Sequence, residues 1–274
     1  MTTRSILITG CSSGIGLDAA RRLSERGWQV FAACRKPEDC ARLEAEGLTS
    51  PLIDYEDGAT IAPALDRVLD ATGGTLTALF NNGAYAIPGL VEDLPTEALR
   101  QTFEANFFGW HTLTRQVIPV MRAQGHGRIV QNSSVLGFAA MPWRGAYNAT
   151  KFAVEGLTDT LRMEMRGTGI HVSLIEPGPI TSAFRANARA NFEAWIDWRT
   201  SVRSKDYEVE IRRLGSGDKG RFELPASAVT AKLIHAIEAP KPRPRYYVTV
   251  PTYLGGAMKR LFPTSLSDRI LSKG

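Results

Sequence analysis

The run Ser5-Ile6-Leu7-Ile8-Thr9 passes without a break into Gly10-Cys11-Ser12-Ser13-Gly14-Ile15-Gly16. Few folds accept five residues of strand character that end on a glycine and give way at once to a helical pattern. The chain must turn sharply at a strand end and start a helix there. Gly10 suits the tight turn, Gly14 lets the backbone approach a ligand, and Gly16 lets the helix lie close to its strand. Backbone N–H groups at the helix start, over Ser12, Ser13, Gly14 and Ile15, are placed to hold an anion such as a phosphate. The helix that follows keeps Ile15, Ala19 and Leu23 on one face, as a crossover helix requires.

The same alternation of short apolar runs and helical segments continues along the chain. Strands are expected at Ser5 to Thr9, Gln29 to Cys34, Ser50 to Ile53, Leu76 to Phe80, Arg128 to Asn132, His171 to Ile175 and Tyr246 to Val250. This is the pattern of an α/β fold, a doubly wound parallel sheet with helices on both faces. Long helices are expected over Glu97 to Ala123, behind Pro95, and over Arg144 to Arg166, the latter burying Phe152, Leu157, Leu161 and Met165 and ending at Gly167 and Gly169. At 274 residues the chain suits a single domain, residues 1–274, with no repeat or linker. The segment from Thr181 to Leu224 is too long for an ordinary connection. Phe184, Ala188, Phe192, Trp195 and Val202 recur there at helical spacing, and Arg213 to Gly220 reads as a flexible turn. Because it leaves the carboxyl end of a strand, where open α/β sheets bind ligands, it is expected to be a substrate lid.

Charge and composition narrow the function. The 33 Lys and Arg against 28 Asp and Glu give +5, and the basic residues look scattered, which suits an anionic cofactor and not nucleic acid. Cys11, Cys34 and Cys40 form no metal-ligand pattern and no disulfide framework, and His111, His126, His171 and His235 lie far apart, so no metal site is expected. No signal peptide fits ahead of Ser5 and no apolar run reaches membrane-spanning length, which points to a reducing, cytoplasmic location.

The chemistry centres on Tyr147 and Lys151. Four residues apart on one helix, they share a face, so the ammonium is expected to favour the phenolate and make Tyr147 a usable acid and base. Cofactor choice is expected at the end of the second strand, where an acid would bind the ribose hydroxyls of NAD. Here Cys34 takes that position and Arg35-Lys36 follows, which favours NADP(H) over NAD(H), with Arg35 as clamp for the extra phosphate and Ser12 or Ser13 as second contacts. Asp54, at the end of the third strand, is a candidate partner for the adenine amino group.

Taken in order, Thr9-Gly10-x-x-x-Gly14-x-Gly16, Asn81-Asn82-Gly83-Ala84, Asn106, Ser134, Tyr147-x-x-x-Lys151 and Pro177-Gly178 resemble the short-chain dehydrogenase/reductase family from residue 5 to about 250. The stretches around Ser133-Ser134, Tyr147 to Leu157 and Ile175 to Thr181 are most similar to its hydroxysteroid and retinol dehydrogenase branch. The resemblance implies a Rossmann-type sheet of seven strands in the order 3-2-1-4-5-6-7. It implies that Tyr147 exchanges a proton with the substrate oxygen, that Lys151 stabilises the phenolate, and that Ser134 polarises the oxygen. It further implies that Asn106 holds a water leading from Lys151 to solvent, that Asn82 and Gly83 line the adenosine ribose, and that Pro177, Gly178 and Thr181 hold the carboxamide of the nicotinamide. Homodimers or homotetramers through the helices of Asn106 and Tyr147 are implied as well. The family's usual Asn-Asn-Ala-Gly stands here as Asn-Asn-Gly-Ala, which removes a positive-φ option at Ala84.

The expected reaction is NADP(H)-dependent interconversion of a carbonyl and an alcohol on a small lipophilic substrate. Val135, Leu136, Phe138, Met141 and Trp143, with Phe184, Phe192, Trp195 and Trp198 of the lid, are the expected hydrocarbon-binding residues. Two other readings are reduction of 3-oxoacyl groups on an acyl carrier protein, against which the aromatic lid and C-terminal extension speak, and a non-catalytic dinucleotide sensor, against which Ser134, Tyr147 and Lys151 speak. In the extension, residues 251–274, apolar residues alternate with Lys259, Arg260 and Arg269, and Pro263 prevents one continuous helix. Docking on the protein itself or on a partner subunit is expected there, with peripheral membrane contact as the lesser option.

Overall fold

The computed structural model describes residues 4–215 and 222–272; of the expected flexible turn from Arg213 to Gly220, residues 216–220 lie outside them. Strand β1 (Ser5–Thr9) leads into α1 (Gly14–Glu25), and β2 (Gln29–Ala33) into α2 (Pro37–Ala45) and α3 (Ile61–Thr72). Strand β3 (Ala78–Asn81) is followed by α4 (Thr96–Phe103), a π turn over Glu104–Phe108, and α5 (Gly109–Ala123). Strand β4 (Gly127–Asn132), α6 (Gly145–Glu164) and β5 (Ile170–Glu176) come next. The chain ends with α7 (Phe184–Trp195), α8 (Ser204–Gly215), α9 (Ala226–Glu238), β6 (Arg245–Tyr247), α10 (Val250–Leu261) and α11 (Thr264–Leu271).

Among the described residues there are six strands, all parallel, in the order β2-β1-β3-β4-β5-β6. Successive residues of β1 feed opposite cores, Ile6 and Ile8 with α1 and α9 on one face, Leu7 with α3, α5 and α6 on the other. Because both faces are covered, the strands read as continuous apolar runs. The order reverses between β1 and β3, which opens the crevice for a ligand at their carboxyl ends.

The seven-stranded expectation is corrected to six. The segment from Ser50 to Ile53 lies beside β2 but forms only isolated bridges, Phe31 with Thr49 and Cys34 with Leu52. Pro51 at its middle has no N–H to give, so the ladder stops at single bonds such as Ile53 N–H to the Cys34 carbonyl, 2.9 Å. A second correction concerns α6: Met165 is buried as expected, but Phe152 and Leu157 stand exposed on its outer side. Their spacing matched the helical period, yet the core side of α6 is taken by Tyr147, Thr150, Lys151, Val154 and Thr158.

Candidate active site

The glycine loop is built for close approach. Gly10 has φ +69°, and a β-carbon on it would fall 2.6 Å from the Cα of Gly83. On Gly16 it would strike the Gly10 carbonyl at 2.3 Å, which is why α1 lies so tightly on β1. Gly14, with φ +57°, begins α1, and Ser13 at the N-cap makes no side-chain capping bond, so the first-turn N–H groups stay open toward the crevice. An open helix start at the switch point of a parallel sheet fits the pyrophosphate of a dinucleotide. Gly83 stands against this loop at negative φ, and Ala84 also avoids positive φ, so the inverted Gly-Ala pair costs no strain.

Asn82 links the glycine loop to α6 by way of Asn132. Its amide donates to the carbonyls of Thr9 (3.0 Å) and Gly10 (3.3 Å), and its oxygen accepts from the amide of Asn132 at 2.8 Å. The Asn132 carbonyl in turn accepts from Lys151 Nζ at 2.7 Å. Lys151 is fully buried, with Nζ 4.3 Å above the Trp110 ring and 5.4 Å from that of Tyr147. Burial pulls its pKa down to about 7, while Glu155, one turn further along α6, pushes it up. The neighbouring Ser134 hydroxyl favours the anion of Tyr147, but burial dominates and holds the phenol well above its ordinary range. Desolvation thus acts against the help that the Lys151 ammonium is expected to give this phenol.

Ser134 ends β4's extension, donating to the Pro177 carbonyl at 3.4 Å and accepting from Leu136 N–H at 3.1 Å. Asn106 sits in the π turn, a break of the kind that accompanies functional sites. Its amide accepts from Tyr85 N–H (3.0 Å), and donates to the Tyr85 carbonyl (2.8 Å) and the Thr150 hydroxyl (3.3 Å), one residue from Lys151. Gly178 lies so close to Thr249 that a β-carbon would meet its hydroxyl at 2.1 Å, and Thr181 pairs with Leu224 through its N–H.

The lid segment divides in two. Phe184 and Ala188 cover Tyr147, Phe184 edge-on at 5.3 Å between ring centres, together with Ala86 and Leu136. Phe192, Ile196 and Tyr207 instead join Ile87, Leu90 and Ala98 in a small core, with Trp143, Trp195 and Trp198 packed against it. Tyr207 fixes it by donating to Asp93 and accepting from Leu90 N–H, at 2.8 and 3.0 Å. Val202, expected on the apolar face, is exposed.

At the far end, Arg35 projects into solvent, 3.6 Å from Glu56. Cys34, at the position where an acid would meet the ribose of NAD, is wholly buried beside Cys11 and Cys40. Asp54 caps its own turn by accepting from Glu56 N–H at 3.0 Å. Arg42, which no spacing rule marks, donates to the Ser12 carbonyl at 2.8 Å and so borders the glycine loop. Asn132 and Trp110 were equally unmarked, because only the packed structure brings them to Lys151. Among the described residues no group of metal ligands occurs.

The family model described as short chain dehydrogenase matches residues 4–193. An uncharacterised oxidoreductase, YbbO, of Escherichia coli K12 is 42% identical over 268 residues, covering 98% of this chain and 94% of that protein. An NADPH-dependent 3-dehydrocapnine reductase of Ornithobacterium rhinotracheale is 31% identical (98% and 96% covered), and human 17-beta-hydroxysteroid dehydrogenase type 1 is 31% identical (91% and 78%). Among solved structures, a short chain dehydrogenase/reductase of Burkholderia phymatum in complex with NAD superimposes with a TM-score of 0.77 at 27% identity, over 98% of this chain and 95% of that one. With the Ser134, Tyr147 and Lys151 cluster beside an open glycine loop, the chain belongs to the short-chain dehydrogenase/reductase family and is an NAD(P)-dependent oxidoreductase.

Proposed function

We propose that the enzyme uses NADP(H) to interconvert a carbonyl and an alcohol on an extended, lipophilic substrate. The observation that carries this reading is the surrounding of Tyr147: one hydroxyl partner, Ser134, and otherwise the apolar walls of Ala86, Leu136, Phe184 and Ala188. Such a site anchors one oxygen and offers hydrocarbon contact to the rest of the molecule. The names of the relatives, an NADPH-dependent reductase and a hydroxysteroid dehydrogenase, agree with it.

The bound nicotinamide supplies or takes the hydride. In reduction Ser134 hydrogen-bonds the carbonyl oxygen, and Tyr147 gives it the phenolic proton. Lys151, held by Asn132, places a positive charge where the phenolate develops, and Asn106 supports the turn behind it. Gly10, Ser12, Ser13, Gly14, Ile15 and Gly16 hold the pyrophosphate, and Asn82 and Gly83 border the adenosine ribose. Asp54 meets the adenine, and Pro177, Gly178 and Thr181 the carboxamide. Arg35 takes the extra phosphate of NADP in place of Glu56, with Arg42 as its neighbour across the loop. Exposed Phe108, Phe152, Leu157 and Met163 on α6 and at the head of α5 are the surface through which a homodimer or homotetramer forms.

A homologous series of ketones and secondary alcohols tests the substrate class. Each added methylene contributes up to ~0.8 kcal/mol until the pocket is full, so catalytic efficiency rises with chain length or ring count. Preference for sugars or short polar hydroxy acids would reject the reading.

A further inference from the structure

The positive charge of the chain is not spread evenly. From Lys241 to Gly274 there are seven Lys or Arg and a single acid, Asp268, so this stretch alone exceeds the +5 of the whole chain and the first 240 residues are close to neutral. The structure gives this stretch a defined shape. In α10 the inward face is Thr252, Gly255 and Gly256, pressed against Val135 and Phe138 and the ring of Tyr247. At 3.6 residues per turn the opposite face is Val250, Leu254, Ala257 and Leu261, and all of it is exposed, Leu254 at 63% and Leu261 at 76%. Beyond Phe262, α11 presents Leu266 and Ile270 one turn apart, also exposed, with Asp268 on its other side. The expected docking of this extension on its own protein is thus confined to the inner face of α10.

A quarter turn from the apolar row, Tyr253 and Arg260 of α10 close a hollow of about 230 Å³ with Lys232 of α9 and Arg243, Arg245, Tyr246 and Tyr247 around β6. Arg245 is spent inward on Glu155, Glu176 and Asp159. Lys232, Arg243 and Arg260 meet no carboxylate among the described residues. Three unpaired cations around one small opening, beside a row of large exposed apolar side chains, make a two-part surface.

We propose that α10 and α11 dock the enzyme on an anionic phospholipid membrane, the apolar row entering the boundary between headgroups and acyl chains and the Lys232, Arg243 and Arg260 hollow receiving a lipid phosphate. Scattered exposed apolar residues need no partner, but a contiguous row with cations along its rim has the composition of an interfacial helix. A second copy is the poorer occupant: a two-fold contact through this face would bring two such cationic stretches together. No described helix is long and apolar enough to cross a membrane, so the contact is peripheral. The inference does not depend on which substrate is turned over.

The test is co-sedimentation of the full-length protein with vesicles of phosphatidylcholine alone and of phosphatidylcholine mixed equally with phosphatidylglycerol, with light-scattering mass determination alongside. Binding is expected to the anionic vesicles and not to the neutral ones. Each cation near such a surface is worth ~1 kcal/mol, so Lys232→Gln/Arg243→Gln/Arg260→Gln should weaken binding roughly a hundredfold. Leu254→Ser/Leu261→Ser should weaken it while leaving the charge, the oligomeric state and NADPH-dependent turnover of a soluble substrate unchanged. The proposal is overturned if the two vesicle types bind equally or not at all. It is also overturned if the leucine variant changes the oligomeric mass, which would give the face to a second copy.

Discussion

Lys151 Nζ donates a hydrogen bond to the backbone oxygen of Asn132 at 2.7 Å, and this one bond joins α6 to the asparagine relay that holds the glycine loop. The ammonium is thereby fixed in a dry site, and dryness moves its pKa from the ordinary lysine range to about 7. A lysine lowered in this way keeps its charge below that value and loses it above. For the free enzyme, kcat/KM for carbonyl reduction is therefore expected to fall as pH rises through about 7. In Lys151→Met the rate should be low throughout and the descending limb should vanish. An unchanged limb would assign it to another group.

Tyr147→Phe keeps the ring against Phe184 and removes only the transferable proton. Turnover should drop ~100-fold or more, while NADPH affinity by fluorescence stays near that of the wild type. Retention of more than about a tenth of the rate would exclude Tyr147 as the acid.

Arg35→Ala should lower catalytic efficiency with NADPH and leave that with NADH close to unchanged, because in the proposed role the guanidinium meets the extra phosphate and nothing that NADH carries. If the ratio of the two efficiencies stays fixed, Arg42 is the residue to replace next. Cys34→Asp, attractive from the sequence, is a poor probe: it would bury a carboxylate among Cys11 and Cys40, at a cost of several kcal/mol.

Glu176 is raised above the ordinary carboxylate range by burial and by Glu155 beside it, despite Arg245. A carboxyl whose folded pKa exceeds its unfolded value binds more protons when folded, so its contribution to stability is full at low pH and is lost as pH rises. Between about pH 5 and about pH 8 the wild type should lose stability that Glu176→Gln retains, and the melting-temperature difference between them should grow in favour of the variant. A constant difference over that range would show that Glu176 is ionised throughout.

What was legible in the sequence was local. The glycine loop and the Tyr147 and Lys151 spacing are patterns within a few residues and lie where the pattern put them, and so do most of the strands, though the expected strand from Tyr246 to Val250 stops at Tyr247 and Val250 opens α10. Asn132, Trp110 and Arg42 were illegible because they reach the site only through contacts between distant segments, 19 residues between Asn132 and Lys151 and 30 between Ser12 and Arg42. The edge segment around Pro51 reads as a strand by its apolar residues, yet the missing N–H is an accounting matter that periodicity does not register. Phe152 and Leu157 show the same limit from the other side: helical spacing tells which residues share a face and not whether anything covers it.

Tyr207 gives the substrate mouth a fixed jamb. Its bonds to Leu90 and Asp93 hold α8 to the body, whereas α7 rests on Tyr147 and Leu136 through Phe184 and Ala188 and adds one hydrogen bond, from the Asn191 amide to the Ala86 carbonyl at 3.2 Å. The two ends of the 181–224 segment are therefore held by different forces, and the Phe184 end borders the same 135–139 turn that α10 leans on. Displacing the segment would meet mainly apolar contacts at Phe184 and hydrogen bonds at Tyr207, so its two ends differ in what they cost to move.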